Sequence, residues 1–136
     1  MKKVISILLA CVIMIIGSVS IYAALPETAE PLWVNVDGFQ NNISFNGTSG
    51  NAAALIYGKS GTTKVTGTLI VYRQYGSNWI YVGSDSDTVS SSVMGLSVDF
   101  TGYSEVNYKA VLTFSVTRNG VTESETDTVY KTCPRS

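Results

Sequence analysis

A chain of 136 residues with nine Lys or Arg, ten Asp or Glu and no histidine is one domain's worth of nearly neutral polypeptide. Its basic residues form no cluster, so it lacks the electrostatic grip that nucleic acid or anionic lipid requires. Without histidine, Ser-His-Asp catalysis loses its usual base, and neither a Cys-His dyad nor a histidine metal site can be built.

The chain opens Met1-Lys2-Lys3 and runs from Val4 to Tyr22 without a charge. A basic start, an apolar stretch and small residues at Ala23 and Ala24 predict a secretory signal peptide cleaved after Ala23. The alternative is an uncleaved membrane anchor, because the apolar run is long enough to span a bilayer. Leu8-Leu9-Ala10-Cys11 is too early in the run for a lipobox, and Leu25-Pro26-Glu27-Thr28-Ala29 sits at the wrong end for a sortase signal. The expected organisation is a signal peptide at 1–23, an N-terminal segment at 24–38, a β-sandwich domain at 39–131 and a C-terminal tail at 132–136. Lys2 and Lys3 leave with the signal, so nine basic residues become seven against ten acidic ones, a net charge of −3. Cys11 leaves too. Cys133 then has no intramolecular partner and is expected as a thiol in a frayed terminus, or as a crosslink between chains.

Trp33 to Val36 is a short candidate strand, and Phe39 to Phe45 follows with Phe39, Ile43 and Phe45 among Asn and Gln. Asn42-Ile43-Ser44 and Asn46-Gly47-Thr48 match the glycosylation sequon but are discounted beside a signal of bacterial type. Asn51 to Tyr57 places Ala52, Ala54 and Ile56 on one face, small enough for an opposing sheet to approach closely. Val65 to Tyr75 is dense in β-branched and aromatic residues, as strands are. Gly76-Ser77-Asn78 turns this strand into Trp79 to Gly83. Asp85-Ser86-Asp87 is expected as a polar link. Two carboxylates without a third ligand do not make a calcium site, so no metal is predicted. Val93 to Phe100 alternates Leu96, Val98 and Phe100 against Ser97 and Asp99.

The strongest signal lies between Glu105 and Tyr130. Tyr108, Ala110, Leu112, Phe114 and Val116 share one side of an extended chain, with Asn107, Lys109, Thr113 and Ser115 on the other. Arg118-Asn119-Gly120 is hairpin chemistry, since Asn and Gly accept positive φ. The more polar strand from Val121 reads as a solvated edge. No segment after the signal has helical periodicity. The prediction is an all-β, antiparallel, immunoglobulin-like sandwich of seven to eight strands. Tyr108 stands two residues before Ala110, the place of the tyrosine that hydrogen-bonds back to the preceding loop in such folds. Ala110 occupies the usual cysteine position, which makes this a disulfide-free variant.

Glu123, Glu125 and Asp127 project from one strand face at a spacing that paired glycosidase carboxylates use. Their Thr and Ser neighbours are those of an exposed edge, where charge serves to prevent aggregation. A catalytic role is therefore not expected, and no cofactor is implied. The aromatic residues of the Tyr72–Val82 hairpin form the candidate contact site. With Tyr72 and Val82 inward, Trp79 and Tyr81 point to solvent beside Tyr75. Such a surface grips sugar rings or protein partners through area and polar handles.

The succession Tyr72-Arg73-Gln74, Trp79-x-x-Val82, Leu96-x-Val98, Tyr108-Lys109-Ala110 and Asn119-Gly120 followed by Glu123 or Glu125 resembles small secreted proteins of Gram-positive bacteria. The resemblance spans about Phe39 to Tyr130, with tyrosine and lysine in place of that pattern's leucine and arginine. It implies an immunoglobulin-like or fibronectin-type sandwich and no particular activity. The functional expectation is a secreted or cell-surface binding module, monomeric, with a glycan or protein partner. Nucleic acid is not a partner, and a membrane is met only through an uncleaved signal. The alternatives are a structural domain, crosslinked through Cys133, and a small carbohydrate-active hydrolase using Glu123 to Asp127.

Overall fold

The computed structural model describes residues 33–136, so the expected signal peptide, its cleavage point and the two motifs near it lie outside the described residues. Seven strands follow in order: β1 (Val36–Asn46), β2 (Ser49–Gly58), β3 (Thr62–Tyr75), β4 (Asn78–Val89), β5 (Val93–Thr101), β6 (Asn107–Arg118) and β7 (Val121–Thr132). Among the described residues there is no helix. The strands make two antiparallel sheets, one in the order β1-β2-β5 and the other in the order β4-β3-β6-β7. This is an immunoglobulin-like sandwich with its fourth strand paired to the third.

Side-chain alternation decides which face of each strand is covered. Ala52, Ala54 and Ile56 of β2 and Met94, Leu96 and Val98 of β5 face Val65, Leu69 and Val71 of β3 and the Tyr108–Val116 row of β6. A side chain on Gly67 would put its Cβ 2.5 Å from Met94 Cε, so the sheets meet closely there. β6 lies centrally in its sheet and β7 at the edge. Asn119 and Gly120 turn one into the other at φ 54° and 75°, the positive pair that a tight two-residue hairpin needs.

Phe45, Phe100 and Tyr108 form an aromatic cluster at one end, with ring centroids 5.2 to 5.6 Å apart. The Tyr108 hydroxyl emerges from it to accept the Tyr103 amide at 2.8 Å, and so ties down the β5–β6 connection. Tyr108→Phe removes that acceptor from a fully buried position. It should cost about 1 to 2 kcal/mol, read as a lower midpoint in urea with an unchanged slope.

The ends of the domain differ from expectation. Cys133 is not frayed: its amide donates to Val106 O at 2.9 Å, its carbonyl accepts Glu105 N at 2.9 Å, and the residue is fully buried. A Cβ on Gly102 would come within 2.9 Å of its sulfur. Burial pushes the thiol above its ordinary pKa, so it stays protonated at neutral pH. Native protein should label slowly with a thiol reagent at pH 8, denatured protein at once, and non-reducing electrophoresis should show a monomer. Rapid native labelling would mean that the terminus opens.

At the other terminus, Trp33–Asn35 is not a strand but a clamped lead-in to β1. Glu123 Oε1 accepts the amides of Asn35 and Val36 at 2.9 and 3.0 Å, and Oε2 accepts that of Val34 at 3.0 Å. The buried Asn35 side chain donates to Val116 O and Val121 O at 3.0 and 2.7 Å. Trp33 Nε1 donates to Glu125 at 3.2 Å, and Asn41 Nδ2 to Asp127 Oδ2 at 3.2 Å. The expected exposed stripe Glu123, Glu125, Asp127 thus faces inward across the seam to β1. Thr122, Ser124 and Thr126 occupy the solvent side, because their register partners Thr117, Ser115 and Thr113 are outward on β6.

Candidate functional site

The turn at Gly76 (φ 64°) returns the chain so that Asn78 pairs with Tyr75, Trp79 with Gln74 and Tyr81 with Tyr72. The register then slips: Val71 pairs with Gly83, leaving Val82 as an extra residue. Such a bulge lets consecutive residues share a face. Val82 packs on the core, and a Cβ on Gly83 would meet Val98 at 3.1 Å. Beyond it, β4 continues as strand through Asp85-Ser86-Asp87 rather than giving way to the expected polar link. Asp85 Oδ2 accepts Ser97 N at 3.0 Å and stitches the edges of the two sheets together. Among the described residues no group of three or more acidic or cysteine side chains is placed to hold a metal.

Tyr72 faces outward rather than inward. It is the neighbour of Val71, which is fully buried, so alternation sends its ring to the outer face of the four-stranded sheet. There it stands in a row across all four strands, Tyr81–Tyr72–Lys109–Tyr130, beside a second row, Trp79–Gln74–Asn107–Thr132. Trp79 and Tyr81 are on this face. Tyr75 is not: it has the parity of Val71 and Arg73 and projects from the opposite side. There the Arg73 guanidinium lies 5.9 Å from the Tyr75 ring and 5.0 Å from that of Tyr103. The three candidate contact residues therefore divide between two faces of one sheet end.

What Trp79 does meet comes from the other hairpin. The Lys109 ammonium sits 4.6 Å from the indole centroid and 5.3 Å from that of Tyr72. Such contacts contribute about 0.5 to 2 kcal/mol each, more as water is excluded. Tyr130 tilts against Trp79 with centroids 6.1 Å apart. Gln74 Oε1 accepts Asn107 Nδ2 at 2.8 Å, and Asn107 Oδ1 accepts the Thr132 hydroxyl at 2.6 Å. Trp79, Tyr130, Gln74, Asn107, Lys131 and Thr132 line an open concavity of about 500 Å³. Trp79 is half-buried, whereas Tyr81 and Tyr130 are 60% and 66% exposed.

Lys109, Tyr130 and the Gln74–Asn107–Thr132 chain were not candidates from sequence. Their outward parity was legible in the alternation of β6. Their adjacency to Trp79 depends on β3 lying between β4 and β6, which no local pattern specifies.

No protein-family model matches the chain, nor does any curated protein sequence. Among solved structures it is similar to the ASH / PapD-like domain of human CEP192 (PapD-like domain 7), at 10% identity and a TM-score of 0.48, over 88% of this chain and 99% of that one.

Proposed function

We propose that this chain is an exported, non-catalytic binding module that engages a glycan or protein partner through the outer face of its four-stranded sheet, with Trp79 as anchor. The observation that carries this reading is the concavity beside Trp79, where two aromatic walls meet an amide and hydroxyl floor. Pockets that hold ligands combine apolar area with a few convergent polar groups, in volumes of roughly 300 to 1,000 Å³. The carboxylates Glu123, Glu125 and Asp127 lie on the other face and are occupied with β1, which leaves the proposed surface without an acid–base pair. Export to the extracellular side of a Gram-positive bacterium, free or at the cell surface, follows the signal sequence and the motif resemblance. Tyr81 extends the surface along β4, whereas Tyr75 projects from the opposite face and is not part of it.

The test is fluorescence of the Trp33→Phe variant, in which Trp79 is the remaining tryptophan, titrated with cell-wall fragments, soluble polysaccharides and host proteins. Binding should shift the Trp79 emission to the blue, and Trp79→Ala should abolish binding while the strand circular dichroism of the domain is kept. Blue emission already present in the free protein would show the indole covered, and the site would be abandoned.

A further inference from the structure

Resting on that reading, we infer that the ligand at Trp79 is an acidic polysaccharide, a polymer of sugar rings bearing carboxylates. The charge layout supports this. On the outer face, alternation places Lys64 and Lys109 as charged residues and no carboxylate, since Asp85, Asp87, Glu123, Glu125 and Asp127 all have the opposite parity. Lys109 stands against the Trp79 wall of the concavity, and Lys64 lies farther along the same face. Among the described residues neither ammonium makes an ion pair; the pair present is Arg135–Glu105. A polyanion lying along this face meets these two cations and no carboxylate of the face itself.

The rest of the surface suits a sugar rather than an acidic peptide. Trp79 and Tyr130 offer tilted ring faces, and the Gln74 and Asn107 amides with Thr132 offer donors and acceptors to hydroxyl groups. From the concavity the same face runs on along the strands as hydroxyl pairs. Thr68 meets Ser86 at 3.0 Å, Thr113 meets Thr126 at 3.4 Å and Thr117 meets Thr122 at 2.9 Å. A hydroxyl-bearing polymer can lie along such a surface without burying an unpaired charge.

The probe is oligogalacturonate, compared by calorimetry with the same oligomer after carboxyl reduction and with polyglutamate as competitor. The expected result is that reduction of the carboxylates weakens binding about tenfold or more. Lys109→Met should weaken it and Lys109→Arg, which keeps a cation over both rings, should restore it, while polyglutamate competes poorly. Equal binding of the neutral oligomer, still lost in Trp79→Ala, would overturn the acidic assignment and leave the binding surface standing. Effective competition by polyglutamate would overturn the saccharide assignment. Absence of binding to either oligomer would overturn this inference, and absence of any Trp79-dependent partner in the wider titration would remove the proposed function with it.

Discussion

Phe114→Ala should destabilise the domain by about 3 to 5 kcal/mol, the range for emptying a buried aromatic site. Phe114 is 2% exposed at the middle of β6, between β3 and β7, and its ring lies 5.2 Å from that of Phe39 across the sandwich. Phe39 in turn packs at a tilt against Trp33, with centroids 5.6 Å apart. Truncation therefore leaves a cavity that rigid rings on one side and two paired strands on the other cannot close, which is the condition for a cost at the upper end of the range. Urea denaturation monitored by far-ultraviolet circular dichroism measures it. A loss under about 1 kcal/mol would mean that the site collapses freely and that the ring contacts add nothing.

Glu123→Ala should cost about 2 to 4 kcal/mol, a large effect for an edge-strand residue. Its carboxylate accepts three successive amides. Those of Asn35 and Val36 belong to residues only 1% exposed, so water does not readily replace the lost acceptor. Bonds to a charged acceptor are stronger than neutral ones, and orphaned buried donors carry the desolvation penalty in full. Glu123→Gln should lose part of this, because one carboxylate oxygen becomes an amide donor facing other donors. Release of the lead-in should also expose Trp33, whose indole donates to Glu125, so a red shift in emission should accompany the loss of stability. A change below about 0.5 kcal/mol in Glu123→Ala, within the ordinary range for surface substitutions, would show that the seam holds without this clamp.

Much of the sandwich could be read directly. The strand periods of β2, β3, β5 and β6, the Asn119-Gly120 turn and the bond from Tyr108 to the loop before it depend on residues a few positions apart. The bond from Tyr103 N to the Tyr108 hydroxyl closes over five residues. The acidic stripe shows where local reading stops. Period two correctly places Glu123, Glu125 and Asp127 on one face, but Thr and Ser flank them on both sides, so hydrophobicity does not say which face is covered. The cover is Asn35, 88 residues away. Tyr72 shows the same limit at a turn. With Gly76-Ser77-Asn78 as a three-residue turn Tyr72 would pair with Val82 and share its inward face; the turn is one residue shorter, Tyr75 pairs with Asn78, and Tyr72 pairs with outward Tyr81.

By itself, then, the sequence determined an all-β chain, its turns, its inward rows and the missing histidine chemistry, because alternation and turn conformation are local properties of the backbone. Only the tertiary structure decided that Lys109 and Tyr130 stand against Trp79, that Tyr75 does not share its face, and that the acidic row clamps β1. Those facts depend on strand order, register and the closing of one sheet over another. Each is set by the burial of the whole core, to which residues distant in the chain contribute together.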